Sequence, residues 1–267
     1  MVEMMVDESI CKLIAVREGL PLDFVAKEFY LMDLFVHMGK SGALNKLIFK
    51  GGTALNKVYL GSASRFSEDL DFDFIGKDLQ EILGGLERTP VGFEATETRR
   101  ILGNTITQID FLYITQWGKK DRLRLDINVK PYAKTTEPLQ VKEIASKFAG
   151  STAFQITIYG LEDLLVRKMS ALRDRTEGKD IFDVSNAIDM ADSKKLLRAI
   201  QSYTRHNGVS ASDFLKDIVN KLRKADYKKL RNLTNPYIPL NNRPNDWKIL
   251  ADTLAMKLEM LEKPMNK

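Results

Sequence analysis

Lys50-Gly51-Gly52-Thr53-Ala54-Leu55, followed after a short loop by Arg65-Phe66-Ser67-Glu68-Asp69-Leu70-Asp71-Phe72-Asp73-Phe74, is the most informative stretch of this chain. A glycine pair closes the apolar run Leu47-Ile48-Phe49, which reads as a buried strand, and opens a helical pattern from Thr53 to Tyr59. Past the polar loop Gly61 to Glu68, acids alternate with apolar residues in a strand running from Asp69 to Ile75. Residues i and i+2 of a strand point to the same side, so Asp69 and Asp71 set two carboxylates on one face. Carboxylates that close repel each other and call for a counter-charge. A hard cation such as Mg²⁺ takes oxygen ligands and keeps positions open for phosphate oxygens. The glycine pair bares backbone N–H groups at a strand-to-helix turn, where a phosphate can approach closely. Together the two halves predict a metal–triphosphate site. Each half alone is common; the ordered combination carries the reading. Asp73 shares the parity of Asp69 and Asp71 and competes with them as a site carboxylate.

Upstream, residues 7–18 form an amphipathic helical pattern. Pro21 then suits a first helical position, and Leu22, Val25, Phe29, Met32 and Val36 make a core-facing stripe that Gly39 and Gly42 end,. Downstream, a helix at about 77–87 precedes a change of period. Phe93 to Thr98 and Thr105 to Thr115 alternate as strands, with Gly103-Asn104 as a hairpin turn, and Arg122 to Val129 is the next strand,. Asp126 lies in it between Leu125 and Ile127; if those two face the core, Asp126 faces the same cleft as Asp69 and Asp71. Residues 130–150 read as a loose connection, Phe154 to Ile158 as a short strand, and the remainder as helices at about 161–174, 179–190, 193–205, 210–224 and 245–262.

With 267 residues, 44% hydrophobic and 29% charged, the chain has the composition of an ordinary globular protein of one large domain or two lobes,. No apolar run approaches the roughly 20 residues a bilayer span needs. The first residues, with Glu3, Asp7 and Glu8, lack a signal-peptide layout, so the expectation is a cytoplasmic protein,. The single cysteine, Cys11, cannot form an internal disulfide and reads as a small core residue,. Two histidines, His37 and His206, and that cysteine exclude a soft zinc site and a histidine-based triad,. Any metal chemistry must therefore rest on carboxylates. Between Ala191 and Arg231 eleven Lys and Arg face four Asp, a larger excess than the net +5 of the whole chain. A basic C-terminal lobe suits a polyanion such as RNA, although solvated basic helix faces are common.

Four blocks occur in a fixed order over about residues 46–190: Gly51 to Leu55; Arg65, Ser67 and Asp69-Leu70-Asp71-Phe72; Leu164-Leu165-Val166-Arg167-Lys168-Met169-Ser170-Ala171-Leu172; and Lys179-Asp180-Ile181-Phe182-Asp183. This order resembles the AbiEii/AbiGii family of nucleotidyltransferase toxins from abortive-infection and type IV toxin–antitoxin systems, within the DNA polymerase β-like superfamily. Lys179 stands where that family usually has arginine, offering phosphate a point charge instead of a fork.

The resemblance implies an α+β fold: a polymerase-β-like mixed sheet with flanking helices in residues 1–158, then a helical lobe in residues 159–267 that completes the cleft. It implies metal ligation by Asp69, Asp71 and Asp126, with Asp126 as the third acid that activates an attacking hydroxyl; a sheet-surface aspartate is the plain alternative. Gly51, Gly52, Thr53, Arg65, Ser67, Lys179 and Asp180 would hold the nucleotide. Thr53 alternatively caps its helix, Arg65 alternatively pairs with Glu68 or Asp69, and Ser67 alternatively shapes the turn. Lys168 would offset triphosphate charge, and Asp183 or Asp180 would orient it or contact the nucleotide. The implied cofactor is Mg²⁺, with Mn²⁺ as a substitute, and the implied substrate an NTP. The implied acceptor is the 3′ end of tRNA or another RNA, or a protein hydroxyl. The implied partner is an antitoxin encoded nearby that need not form a stable complex, with no membrane involved. An antibiotic-type nucleotidyltransferase would share the first block but needs an acidic pocket, which the basic C-terminal lobe opposes. A non-catalytic NTP- or RNA-binding module would lack a metal acid, and all three acids are present. A kinase is disfavoured by the absence of a Walker A sequence and of a His-Arg-Asp loop,.

Overall fold

Local chemistry sets the first helices. In the computed structural model, which describes residues 6–86, 89–96, 98–101, 103, 105–130, 135–144, 146 and 154–262, Asp7 accepts hydrogen bonds from the N–H groups of Ser9 and Ile10 and starts α1 (Glu8–Glu18). Pro21 fixes the entry to α2 (Leu22–Lys40),. The expected stripe on α2 is wider than its spacing implied, because Leu31, Leu34, Phe35 and Met38 are buried as well. This helix is covered on more than one side and forms the spine of the first core.

Eight strands of the described residues form one mixed sheet. They are β1 (Leu47–Lys50), β2 (Asp69–Phe74), β3 (Phe93–Ala95), β4 (Arg99–Ile101), β5 (Ile106–Ile114), β6 (Lys120–Asn128), β7 (Gln140–Ile144) and β8 (Phe154–Ile158). Their spatial order is β3-β5-β6-β2-β1-β8-β7, with β4 beside β5. β2 runs parallel to β6 and β1 parallel to β8; the other pairs are antiparallel. Strand alternation divides the sheet. Leu70, Phe72, Leu123, Leu125, Ile127, Ile109 and Phe111 point into the apolar core, where Phe35 of α2 meets Phe49 edge-on at 5.1 Å. The other face of β5, β6 and β2 carries the charged residues.

Two expectations need correction. The strand beside the turn at Gly103 is β4, while β3 pairs with the far end of β5, Phe93 opposite Tyr113; Asn104 lies outside the described residues. The stretch 130–150 contains β7, which pairs with β8. β7 is an edge strand whose Val141 is exposed, so it lacks the apolar alternation that marks a strand covered on one face,.

Between β1 and β2, α3 (Gly51–Ala54) widens into π-helical turns from Leu55 to Leu60. α4 (Gln80–Leu86) follows β2. After β8 come α5 (Leu161–Arg175), α6 (Gly178–Ala187), α7 (Ser193–His206), α8 (Ala211–Arg223), α9 (Tyr227–Thr234) and α10 (Trp247–Glu262). α9, absent from the sequence reading, has only Leu230 and Thr234 buried and owes its start to the Asp226 cap,. These helices enclose a second apolar cluster, which Leu55 and Leu60 join from the other half of the chain. No helix of the described residues is long and apolar enough to cross a membrane.

Candidate active site

The sheet register builds an acid row. Asp71 stands directly opposite Asp126 across the parallel β2–β6 pair, and Asp69 stands opposite Arg124. Leu125 and Ile127 are fully buried, so Asp126 faces the cleft together with Asp69 and Asp71. Gln108, the β5 partner of Asp126, donates its side-chain amide to that carboxylate at 2.8 Å. Burial raises the Asp71 carboxyl to about 6; Lys50 opposes the rise, and the Asp126 and Asp69 charges add to it. Asp69 is raised as well, by burial and then by Glu68. Asp73 shares their parity but is engaged elsewhere. It is fully buried, lies 2.5 Å from Lys50 Nζ, and accepts the Tyr159 hydroxyl on its other oxygen.

Two glycines let the next element approach these acids. Gly51 adopts φ +77°, and a Cβ there would fall 2.2 Å from Asp71 Oδ2. A Cβ on Gly52 would fall 2.8 Å from Arg65 Nη2 and 3.2 Å from Lys168 Nζ. Any side chain at either position would fill the space between the acid row and the cations behind it. Thr53 is buried, and its hydroxyl donates to the carbonyl of Asp69 at 2.5 Å, tying α3 to the start of β2. The helix cap position is Lys50, which makes no side-chain capping bond.

Behind the glycines lies a buried ion network. Arg65 donates two parallel bonds to Asp183, Nε at 2.9 Å and Nη2 at 2.7 Å. Lys168 reaches Asp180 at 2.6 Å and Asp183 at 3.0 Å, and Arg175 closes the network with two bonds to Asp180. Asn56 donates to Asp183 and to the Gly52 carbonyl and accepts the Arg65 backbone N–H. Both carboxyls lie below the usual aspartate range. Burial pushes each up, but Arg65 and Lys168 for Asp183, and Arg175 and Lys168 for Asp180, pull it further down. Arg65 thus takes a partner on α6 instead of its sequence neighbours Glu68 or Asp69, and it also approaches Ser67 Oγ at 3.4 Å.

Lys179 lies at the edge of this network. Its Nζ is 3.0 Å from Glu68 and 3.4 Å from the ring centroid of Tyr237, which stacks on Phe24 at 4.5 Å. Burial lowers Lys179 despite Glu68, and Glu68 is held below its usual range, against burial, by Tyr237 and Lys179. From Lys179 and Tyr237 a groove of about 750 Å³ opens over α8 and α9, lined among others by Arg175, Lys221, Lys224 and Lys229.

The structure therefore brings Gly51, Gly52, Arg65, Lys168, Asp180 and Asp183 together on one side of Asp69, Asp71 and Asp126. The sequence reading missed Lys50, Asn56, Gln108, Arg175, Glu68 and Tyr237 as members of this neighbourhood. Asn56 carried a signal, since it follows Gly52 by four positions on one helical face; Lys50 and Glu68 adjoin Gly51 and Asp69 in the sequence and Arg175 lies five positions before Asp180, whereas Gln108 and Tyr237 are joined to the site only by long-range packing. Of the described residues, no three His, Cys, Asp or Glu side chains converge into a metal-binding group on their own. The donor set nevertheless fits a hard cation, because Mg²⁺ is commonly held by one or two carboxylates with water and substrate phosphate completing its shell.

The sequence profile described as Nucleotidyl transferase AbiEii toxin, Type IV TA system, matches residues 33–259. Similar folds occur in MenT4, a nucleotidyltransferase toxin from Mycobacterium tuberculosis H37Rv (18% identity, 93% of this chain and 89% of that one, TM-score 0.61). They occur also in JHP933 from Helicobacter pylori (23% identity, 92% and 98%, TM-score 0.53) and in a candidate nucleotidyltransferase from H. pylori (24% identity, 87% and 93%, TM-score 0.53). At these identities the likeness concerns the fold. No curated relative matches the chain at a significant level.

Proposed function

The chain belongs to the AbiEii family of nucleotidyl transferase toxins of type IV toxin–antitoxin systems, and from that premise we propose that it moves an NMP group from an NTP to the 3′ end of a tRNA. In the reaction the acceptor hydroxyl oxygen forms a bond to the α-phosphorus. The bond from that phosphorus to the bridging oxygen breaks, and pyrophosphate leaves. Asp126, oriented by Gln108, takes the hydroxyl proton. Asp69 and Asp71, with Asp126, would hold Mg²⁺, or Mn²⁺ in its place; when bound, that ion would neutralise triphosphate charge and polarise the α-phosphate. The N–H groups of Gly51 and Gly52, at the first turn of a helix, receive phosphate oxygens. Lys168, fixed by Asp180 and Asp183, faces the same space and offsets charge on the departing pyrophosphate. Arg65 acts by holding Asp183 in place; Thr53 and Ser67 shape the loop, and Lys179 lies at its rim. Such transfer to tRNA in the cytoplasm would halt translation, and an antitoxin encoded nearby, which need not form a stable complex, would relieve it.

One observation carries the proposal: a cross-strand pair of carboxylates, Asp71 and Asp126, lies beside a glycine at which any Cβ would collide with the Asp71 carboxylate. The test incubates the protein with each α-³²P-labelled NTP, Mg²⁺ and total tRNA, next to Asp71→Ala. Label entering RNA only with Asp71 intact supports the reading. Label on protein, or none with any nucleotide and either metal ion, overturns it.

A further inference from the structure

Beyond the acid row, on the flank away from Gly51 and Lys168, the same face of the sheet carries a second charge cluster. Arg99 of β4 and Arg122 and Arg124 of β6 converge on Asp110 of β5, at 2.5, 3.0 and 3.4 Å. Asp110 is 2% exposed, whereas the side chains of Arg99 and Arg122 are 52% and 51% exposed. One guanidinium fork satisfies one carboxylate, so this cluster holds more cation than its own acid requires. The surplus charge stands in solvent.

Register fixes where that surplus lies. Asp110 pairs with Arg124, which pairs with Asp69; one step along, Gln108 pairs with Asp126, which pairs with Asp71. Across the sheet the order is therefore arginine cluster, acid row, then the glycine turn with Lys168. In-line phosphoryl transfer sets the attacking and leaving oxygens on opposite sides of the phosphorus. If the triphosphate tail lies over the glycines, the attacking hydroxyl comes in over the arginines. Planar guanidinium forks match phosphate oxygens, and Leu112 and Ile114, exposed on this face, give a sugar or base an apolar surface.

We propose that Arg99, Arg122 and Arg124 form the acceptor platform, binding backbone phosphate of an RNA strand whose terminal hydroxyl reaches Asp126. This rests on the acid row being the transfer centre. The surplus positive charge also argues against a cationic small molecule as acceptor, because such a molecule would be repelled from the approach side.

The test is fluorescence anisotropy of a 5′-labelled RNA stem with a single-stranded 3′ end, titrated with the full chain at several salt concentrations. Arg99→Gln/Arg122→Gln leaves Arg124 paired to Asp110, which guards the fold. It is expected to weaken binding about tenfold or more, and to reduce the slope of log K against log salt by about 0.7–0.9 for each phosphate that the variant no longer engages. NTP binding measured by calorimetry is expected to stay unchanged. Arg99→Lys/Arg122→Lys keeps charge without the fork and recovers part of the affinity. Lys224→Gln/Lys229→Gln, in the groove over α8 and α9, is the control. Unchanged affinity and slope in the Arg99/Arg122 variant, a loss confined to the groove variant, or no salt-dependent RNA binding by the wild type overturns the platform. If RNA binding follows the arginines but no nucleotide is transferred, the platform stands and the transferase reading falls.

Discussion

Asp71 and Asp126 stand side by side in the sheet, and the cation that most opposes the rise of Asp71 is Lys50, itself bonded to Asp73, whereas Asp180 and Asp183, on α6, are gripped by Arg65, Lys168 and Arg175. Both sets of aspartates border the same cleft. The first set is short of counter-charge, and burial with mutual repulsion raises Asp71. The second has more cation than anion, and its carboxyls are lowered. A deficit of positive charge leaves a place for a cation brought from outside. A surplus, locked by bidentate geometry, holds α3, α5, α6 and the loop before β2 in one arrangement. One region is built to receive and the other to position, and substitutions should separate them.

The largest effect is expected from Asp71→Asn. On the proposed role of Asp71 in holding the metal ion, its loss should lower kcat/KM by at least about 10³-fold, roughly 4 kcal/mol, while denaturant melts show unchanged or slightly higher stability. A stability loss comparable to the activity loss would erase the distinction. Asp183→Ala should do the reverse in kind, removing one partner of a buried pair and stranding Arg65 and Lys168 at a cost of about 3–5 kcal/mol. Urea unfolding reads this directly, and a cost under about 1 kcal/mol would show the network to be incidental.

The two regions should also respond oppositely to pH. The folded Asp71 carboxyl titrates near 6, above the ordinary aspartate value of 3.8, so the fold binds that proton more tightly than the unfolded chain does. Its contribution is present below about pH 4 and is lost as pH rises through about 6. Asp183, lowered in the fold, contributes stability above the ordinary aspartate range and loses it as pH falls toward its folded value. Melts from pH 3 to 8 should show Asp71→Asn gaining on the wild type as pH rises, and Asp183→Asn approaching it as pH falls. Parallel curves would contradict the assignment. The smallest effect is expected at Glu68→Gln. The side chains of Glu68 and Lys179 are 27% and 26% exposed, so loss of this pair should cost about 1 kcal/mol or less, detectable as a small Tm shift; a larger cost would show that Glu68, which also reaches Lys27, belongs to a buried ion network.

The acid row was legible because alternation is a local code: Asp71 and Asp126 each sit between apolar neighbours, Asp69 shares the parity of Asp71 at the start of the same strand, and parity assigns their face,. The ion network was only half legible. Lys168, Asp180 and Asp183 were found through the order of motifs, but Asn56 meets Asp183 across 127 positions, and no window of sequence holds both. Asp73 shows the limit from the other side. Its parity equals that of Asp71, and only the packing of Lys50 and Tyr159 around it separates the two. β7 and α9 escaped notice because a polar edge strand and a short basic helix bury too little apolar surface to impose a period.

The membership of Leu55 and Leu60 in the helical core has a consequence for biosynthesis. On the ribosome these two leucines emerge about a hundred residues before Leu161, the first of their C-terminal partners. At roughly 5–20 residues per second, they wait on the order of 5–20 s without a core to enter. Lys168 and Asp183 arrive later still, so a nascent or truncated chain carries the acids without the cations that complete the cleft. The acids of the sheet and the cations behind the glycine turn are thus brought together only after the helical half has been translated.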